Sequence, residues 1–169
     1  MAFAHLHVHT EYSLLDGACR IEKLLDRVQE LGQDSIAITD HGVMYGAVDF
    51  YKAAKKRGIH PVIGCEVYVA KRTRFDRVHE LDGENRHLVL LCENQQGYQN
   101  LIAMVSRAWT EGFYSKPRVD FELLEKYHEG LIALSACLAG EIPRALSMRD
   151  YEEARKAALR YEGIFGKGN

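Results

Sequence analysis

His5-Leu6-His7-Val8-His9-Thr10-Glu11-Tyr12-Ser13-Leu14-Leu15-Asp16-Gly17 is the stretch around which the chain is organised. Phe3 to Val8 alternates apolar and imidazole side chains, so in an extended strand His5, His7 and His9 project from one face. Packing does not explain three imidazoles crowded together, because each neutral ring needs partners for both nitrogens. A metal ion supplies one. With the carboxylate of Asp16 just after the strand, the set is the N/O donor chemistry that suits zinc, manganese or iron. The bland alternatives are a surface cluster or a tag remnant. A tag would not interleave with apolar residues and then lead into a turn and a helix.

Length and composition bound the rest. The chain has 169 residues, enough for one domain that buries about two thirds of its unfolded surface and too few for two separate cores. It is 47% hydrophobic and 27% charged with three prolines, the profile of an ordered globular protein. No apolar run approaches the roughly 20 residues that span a bilayer, and the N-terminus lacks a signal-peptide layout, so a cytoplasmic location is expected, away from membranes. Cys19, Cys65, Cys92 and Cys137 are scattered without a C-x-x-C pair and read as reduced thiols, one of them available as a ligand. A net charge of -2 gives no overall footprint for gripping nucleic acid.

Working outward from the first strand, Ile21, Leu24, Leu25, Val28 and Leu31 recur at helical spacing until Gly32. Ser35 to Thr39 reads as a buried strand that ends in Asp40-His41-Gly42, a second polar cluster at a strand end. Ala47, Phe50, Tyr51 and Ala54 mark the next helix, closed by Gly58. Pro61 to Ala70 is a strand with an anomaly: Glu66 is a carboxylate amid apolar residues, expensive to bury unless a cation meets it. The following loop, Lys71 to Gly83, carries Lys71, Arg72, Arg74 and Arg77, candidate phosphate contacts. Arg86 to Cys92, with His87 at its beginning, is a fourth strand, and a helix from Gly97 to Ala108 follows. Trp109 to Asp120 is an aromatic, Gly/Pro-punctuated connection before a short helix at Phe121 to Tyr127. Gly130 to Cys137 is the fifth strand, and two helical stretches complete the chain.

This alternation predicts an α/β fold with parallel strands and outer helices. An open doubly wound sheet and a barrel compete. No Gly-rich phosphate loop follows a strand, and ligand-type residues cluster at strand ends, which favours the barrel. His87 stands out, since it opens its strand instead of closing it: either that strand starts earlier, or His87 sits on another level of the barrel.

His7-x-His9-Thr10, Thr39-Asp40-His41, Glu66, His87 and Cys137 together resemble the polymerase and histidinol phosphatase (PHP) domain. His9 to Gly17, Gly97-Tyr98-Gln99-Asn100-Leu101, Glu111-Gly112-Phe113-Tyr114 and Gly130 to Leu138 resemble the version found at the N-terminus of bacterial replicative polymerases of the DNA polymerase III alpha family. The resemblance implies a distorted parallel (βα) barrel with up to three divalent ions at the strand ends. It implies His7, His9, Asp16, His41, Glu66, His87 and Cys137 as ligands, with Asp40 orienting a ligand and His5 behind the ligands or partly exposed. Family members add an Asp-x-His pair from a last strand that this sequence lacks. The expectation is therefore a single PHP domain over residues 1–169, cut before its final strands, binding fewer ions than the family's full set and prone to self-association along an open edge. His60, His79 and His128 read as surface residues.

Two functions follow from the resemblance. One is phosphoesterase chemistry by a metal-activated water with no protein nucleophile, acting on a DNA 3' end in proofreading or on pyrophosphate. The other is a metal-stiffened scaffold for the remainder of the polymerase alpha chain, docking a proofreading exonuclease or other replisome subunit, with DNA reached through the full-length protein. A free-standing histidinol-phosphate-type phosphatase ranks below both. No palm-type pair of aspartates is present, so polymerase activity is not expected of these residues alone, and hydrolysis by them is expected to be weak.

Overall fold

A computed structural model describes residues 3–169. An extended N-terminal segment leads into α1 (Ile21–Glu30), β1 (Ser35–Ile38), α2 (Ala47–Lys56) and β2 (His60–Ala70). The chain continues through α3 (His79–Asp82), β3 (Asn85–Cys92), α4 (Gln95–Thr110), β4 (Arg118–Val119) and α5 (Phe121–Lys126), then β5 (Leu131–Leu134), α6 (Glu141–Ser147) and α7 (Tyr151–Phe165). No described helix is long and apolar enough to cross a membrane.

The α/β class is as expected, and the sheet is mixed. β1 and β4 pair with β2 in parallel along one of its edges, and β3 pairs antiparallel to both β2 and β5. Four strands thus share one direction and β3 alone is reversed, which corrects the expectation of uniformly parallel strands. The cause lies in the connection before β3. A parallel crossover would have to return along the 11 residues of β2, roughly 35 Å. The link instead contains only the four-residue α3 and is closed on itself, because Arg72 Nε and Nη2 donate to Asp82 at 2.8 and 2.5 Å.

Reversal also accounts for His87. The first residues of β3 lie level with the last residues of β2, and the register sets His87 opposite Tyr68. Neither an earlier strand start nor a separate level is needed. The N-terminal stretch is the other departure: it touches the sheet through a single bridge, His5 with Ile36, pairs within itself through another, Thr10 with Cys19, and is not a regular strand. Thr39 and Ala37 N–H donate to Val8 O and His5 O at 2.9 and 2.8 Å, so it still runs beside β1.

Strand periodicity separates the two faces of the sheet. Cys65, Val67 and Val69 of β2 with Leu88 and Leu90 of β3 face α4, α5 and α7, forming the largest apolar cluster. α1 and α2 cover β1 through Leu25, Val28, Phe50 and Ala54. On the opposite face a smaller cluster, Ala37, Val89 and Leu91 against Ile132 and Leu134, floors a concavity. Glu66 and His87 alternate onto that face above it.

Asp82 is 1% exposed, and the Arg72 guanidinium and the Val78 N–H hold its carboxyl down to about 2. A depressed carboxyl stabilises the fold above the unfolded value of about 4 and stops doing so as pH falls to about 2. Thermal melts of the parent and Asp82→Asn should therefore differ most above about pH 4 and converge toward pH 2. A constant gap would show that the closed loop does not depend on this charge.

Candidate metal centre

Glu66 sits in the middle of β2 with its side chain 1% exposed. His7 Nε2 and His87 Nδ1 stand 3.3 and 2.9 Å from Oε1, while His9 Nε2 stands 3.6 Å from Oε2 and His41 Nδ1 contacts Oε2 directly. Cys137 Sγ lies 3.9 Å from Glu66 Oε1 and 3.7 Å from His87 Nδ1. Asp16, largely exposed, joins through His41, with Oδ2 at 3.2 Å from Nε2. All seven residues named as ligands thus converge on one concavity. Their donor atoms fall into two groups, His7/His9/Glu66 and His41/Glu66/His87, each within 4.8 Å and sharing Glu66, with Asp16 and Cys137 at the rim. His5 stays outside, exposed and edge-on to Phe3. His60, His79 and His128 are exposed.

Electrostatics follow from this crowding. Burial alone disfavours the Glu66 carboxylate, yet hydrogen bonds from His41, His7 and His87 outweigh it and hold the group well below the usual carboxylate range. Burial and the neighbouring His41 hold His9 below the ordinary imidazole value, whereas the hydrogen bond to Glu66 lifts His41 above it against its own burial. His9 Nδ1 is buried with no hydrogen-bond partner among the described residues. An orphaned ring nitrogen within an imidazole and carboxylate set fits a divalent ion of the zinc, manganese or iron kind.

Backbone and hydroxyl groups fix this arrangement. Asp40, 1% exposed, hydrogen-bonds to no imidazole ring among the described residues. Its Oδ1 accepts from Thr10 N–H at 2.6 Å and Ser13 Oγ–H at 2.8 Å, and its Oδ2 accepts from Thr10 Oγ1–H at 2.7 Å. Ser13 Oγ in turn accepts from His41 N–H at 3.2 Å. Asp40 thereby ties the loop after His9 to the loop carrying His41. Gly17 completes the turn, since a Cβ there would stand 1.8 Å from Thr10 O. Gly42 adopts φ 62°, and a Cβ would meet Pro117 at 2.8 Å.

The basic loop departs from expectation. Arg74 is buried, donating to Glu111 at 2.8 Å, Asp120 at 3.0 Å and Glu122 at 3.1 Å, so it has no free face for a phosphate. Arg72 is committed to Asp82. Lys71 and Arg77 are exposed. Sequence reasoning also gave no role to Tyr68, Trp109, Phe113 and Lys116, which line a cavity of about 490 Å³ beside Asp16, His41 and His87. The available signal was the aromatic density of residues 109–117.

A model of the PHP domain matches residues 5–169. The chain is 48% identical over 170 residues to the DNA polymerase III subunit alpha of Treponema pallidum, covering 100% of this chain and 14% of that one. It is 48% identical over 171 residues to the Thermus aquaticus subunit of the same name, covering 98% and 14%. The chain thus spans about one seventh of the length of these relatives. An amidohydrolase structure from Chromobacterium violaceum aligns over 63% of this chain and 33% of that one, at 27% identity and a TM-score of 0.46.

Asp40→Ala would strand three buried donors at a cost of about 3 kcal/mol or more. A melting temperature lowered by several degrees, with weaker metal binding, is the expected result. Asp40→Asn keeps one acceptor oxygen and should fall between. Unchanged melting in both variants would remove Asp40 from the support of the centre.

Proposed function

The chain belongs to the PHP domain family, and on that premise we propose that it forms the PHP portion of a DNA polymerase III alpha subunit and carries a divalent-metal phosphoesterase-type site. The observation that carries this reading is Glu66, a buried carboxylate whose two oxygens face four imidazoles in two groups. His7, His9 and Glu66 would hold one ion. His41, Glu66 and His87, with Asp16 and Cys137 at the rim, would hold another. Zinc, manganese and iron all suit the donors. When bound, such ions supply Lewis-acid polarisation of a phosphoryl oxygen and neutralise developing charge.

The chain's own groups do the rest. Glu66 bridges the two groups and supplies the negative charge that draws cations into the concavity. His41 has a carboxylate at each ring nitrogen, Glu66 at Nδ1 and Asp16 at Nε2, so an incoming ion competes with a proton held there. The apolar floor of Val89 and Leu91 limits water beneath the cluster. DNA synthesis and contacts with other replication proteins belong, in this reading, to the remainder of the longer alpha subunit.

Anomalous scattering at the zinc, manganese and iron edges from crystals grown with those metals should place density at both groups. His9→Ala should empty the first and leave the second, and Glu66→Gln should empty both. Because groups that merely orient a ligand cost 10–100-fold on removal, Glu66→Gln should lower metal-dependent release of p-nitrophenol from thymidine 5'-p-nitrophenyl phosphate by at least about 100-fold. Metal bound elsewhere, or release indifferent to Glu66→Gln, would overturn the proposal.

A further inference from the structure

The cavity beside the cluster has two unlike walls. One is the ligand side, Asp16, His41 and His87. The other is aromatic. Trp109 and Phe113 stack with centroids 5.4 Å and planes 22° apart, and both keep large exposed surfaces, 40% and 46%. Trp109 Nε1–H donates to Gly42 O at 2.8 Å, which ties the indole to the backbone one residue beyond His41.

The same loop positions a cation. Ser115 holds φ 60°, a left-handed conformation that is strained for a non-glycine residue. Tyr114 N–H donates to Lys116 O at 3.0 Å across that turn. Lys116 Nζ then lies 5.2 Å from the Tyr68 ring centroid, and Tyr68 stands edge-on to His87 at 5.1 Å. Arg118, fully buried, pins the loop's far end by donating to the carbonyls of Gly112, Arg74 and Asp76 at 3.0, 2.9 and 2.9 Å. A strained, firmly anchored loop that leaves Phe113 exposed against Trp109 in the last turn of α4 is not accounted for by core packing.

We propose that this wall is a nucleobase platform, on which Trp109 and Phe113 receive an unpaired base while Lys116 and the histidines flank its phosphate. The proposal rests on the phosphoesterase reading and adds to it the residues that select the base. Pyrophosphate would leave the aromatic wall without a partner and find one ammonium beyond the ligands. A paired base has both faces covered by its neighbours, whereas an unpaired one can stack on side chains. A volume of about 490 Å³ lies within the range of single small-ligand sites.

Trp109 is the only tryptophan of the chain, so its fluorescence reports this surface alone. In EDTA, a single-stranded hexathymidylate should quench the emission saturably. An abasic hexamer of the same backbone charge, a blunt duplex and pyrophosphate should not. Phe113→Ala should weaken the apparent affinity by about 5- to 100-fold, the range expected for one lost stacking contact, while Phe113→Tyr preserves it. Lys116→Ala should lessen the slope of log affinity against log salt by about 0.7, and Lys116→Arg should restore it. Equal quenching by the abasic hexamer, or no quenching by hexathymidylate at millimolar concentration, overturns the platform. If hexathymidylate is hydrolysed without quenching, the phosphoesterase reading stands and the platform falls. Quenching without hydrolysis on metal addition has the opposite meaning.

Discussion

A carboxylate buried at the middle of a sheet costs several kcal/mol unless opposite charge or strong donors surround it, and Glu66 imposes that requirement on the whole chain. The donors cannot come from its own strand, where Cys65 and Val67 face the apolar core. They arrive from four other places: His7 and His9 before α1, His41 just past β1, His87 at the start of β3, and Cys137 after β5. The extension of β2 past the end of β1 and the reversal of β3 bring His41 and His87 beside Glu66.

A second buried carboxylate solves the same problem differently. Asp40 is met by a backbone amide and two hydroxyls, with no hydrogen bond or ion pair from an imidazole, guanidinium or ammonium among the described residues. Neutral donors suit a group whose task is to hold two loops in register, because they leave the positive potential of the imidazoles directed at Glu66. Arg74 is the inverse case, a buried cation satisfied by Glu111, Asp120 and Glu122 drawn from the connection before β4 and from α5. The Arg74 arrangement flanks β4, with Asp120 directly after that strand and Glu111 at the start of the connection that carries Lys116.

Much of the centre is legible in the sequence, because its markers are anomalies of type against context: imidazoles at every second position of residues 5–9, and Glu66 inside an apolar run. Apolar alternation tells which residues share a face but carries no arrow, so the direction of β3 could not be read; it follows from Arg72 closing on Asp82. The basic loop misleads for a related reason. Charges clustered in sequence look unpaired when their partners lie far along the chain, as Glu111, Asp120 and Glu122 lie 37 to 48 residues from Arg74. His5 shares the alternation of His7 and His9, and its backbone bridges Ile36 of β1, yet its side chain is exposed and edge-on to Phe3.

The reversed strand also sets an order of assembly. Glu66 and His87 are 21 residues apart and meet across an antiparallel pair joined by a local turn, whereas Cys137 is 71 residues from Glu66. Chain-closure entropy rises with the logarithm of the enclosed length, and hairpins form within microseconds. Two of the seven residues of the centre, Glu66 and His87, can thus be in place on a nascent β2–β3 ribbon before the other segments dock. The late arrivals then meet a carboxylate already paired with one imidazole, and the most costly burial in the fold is never made without compensation.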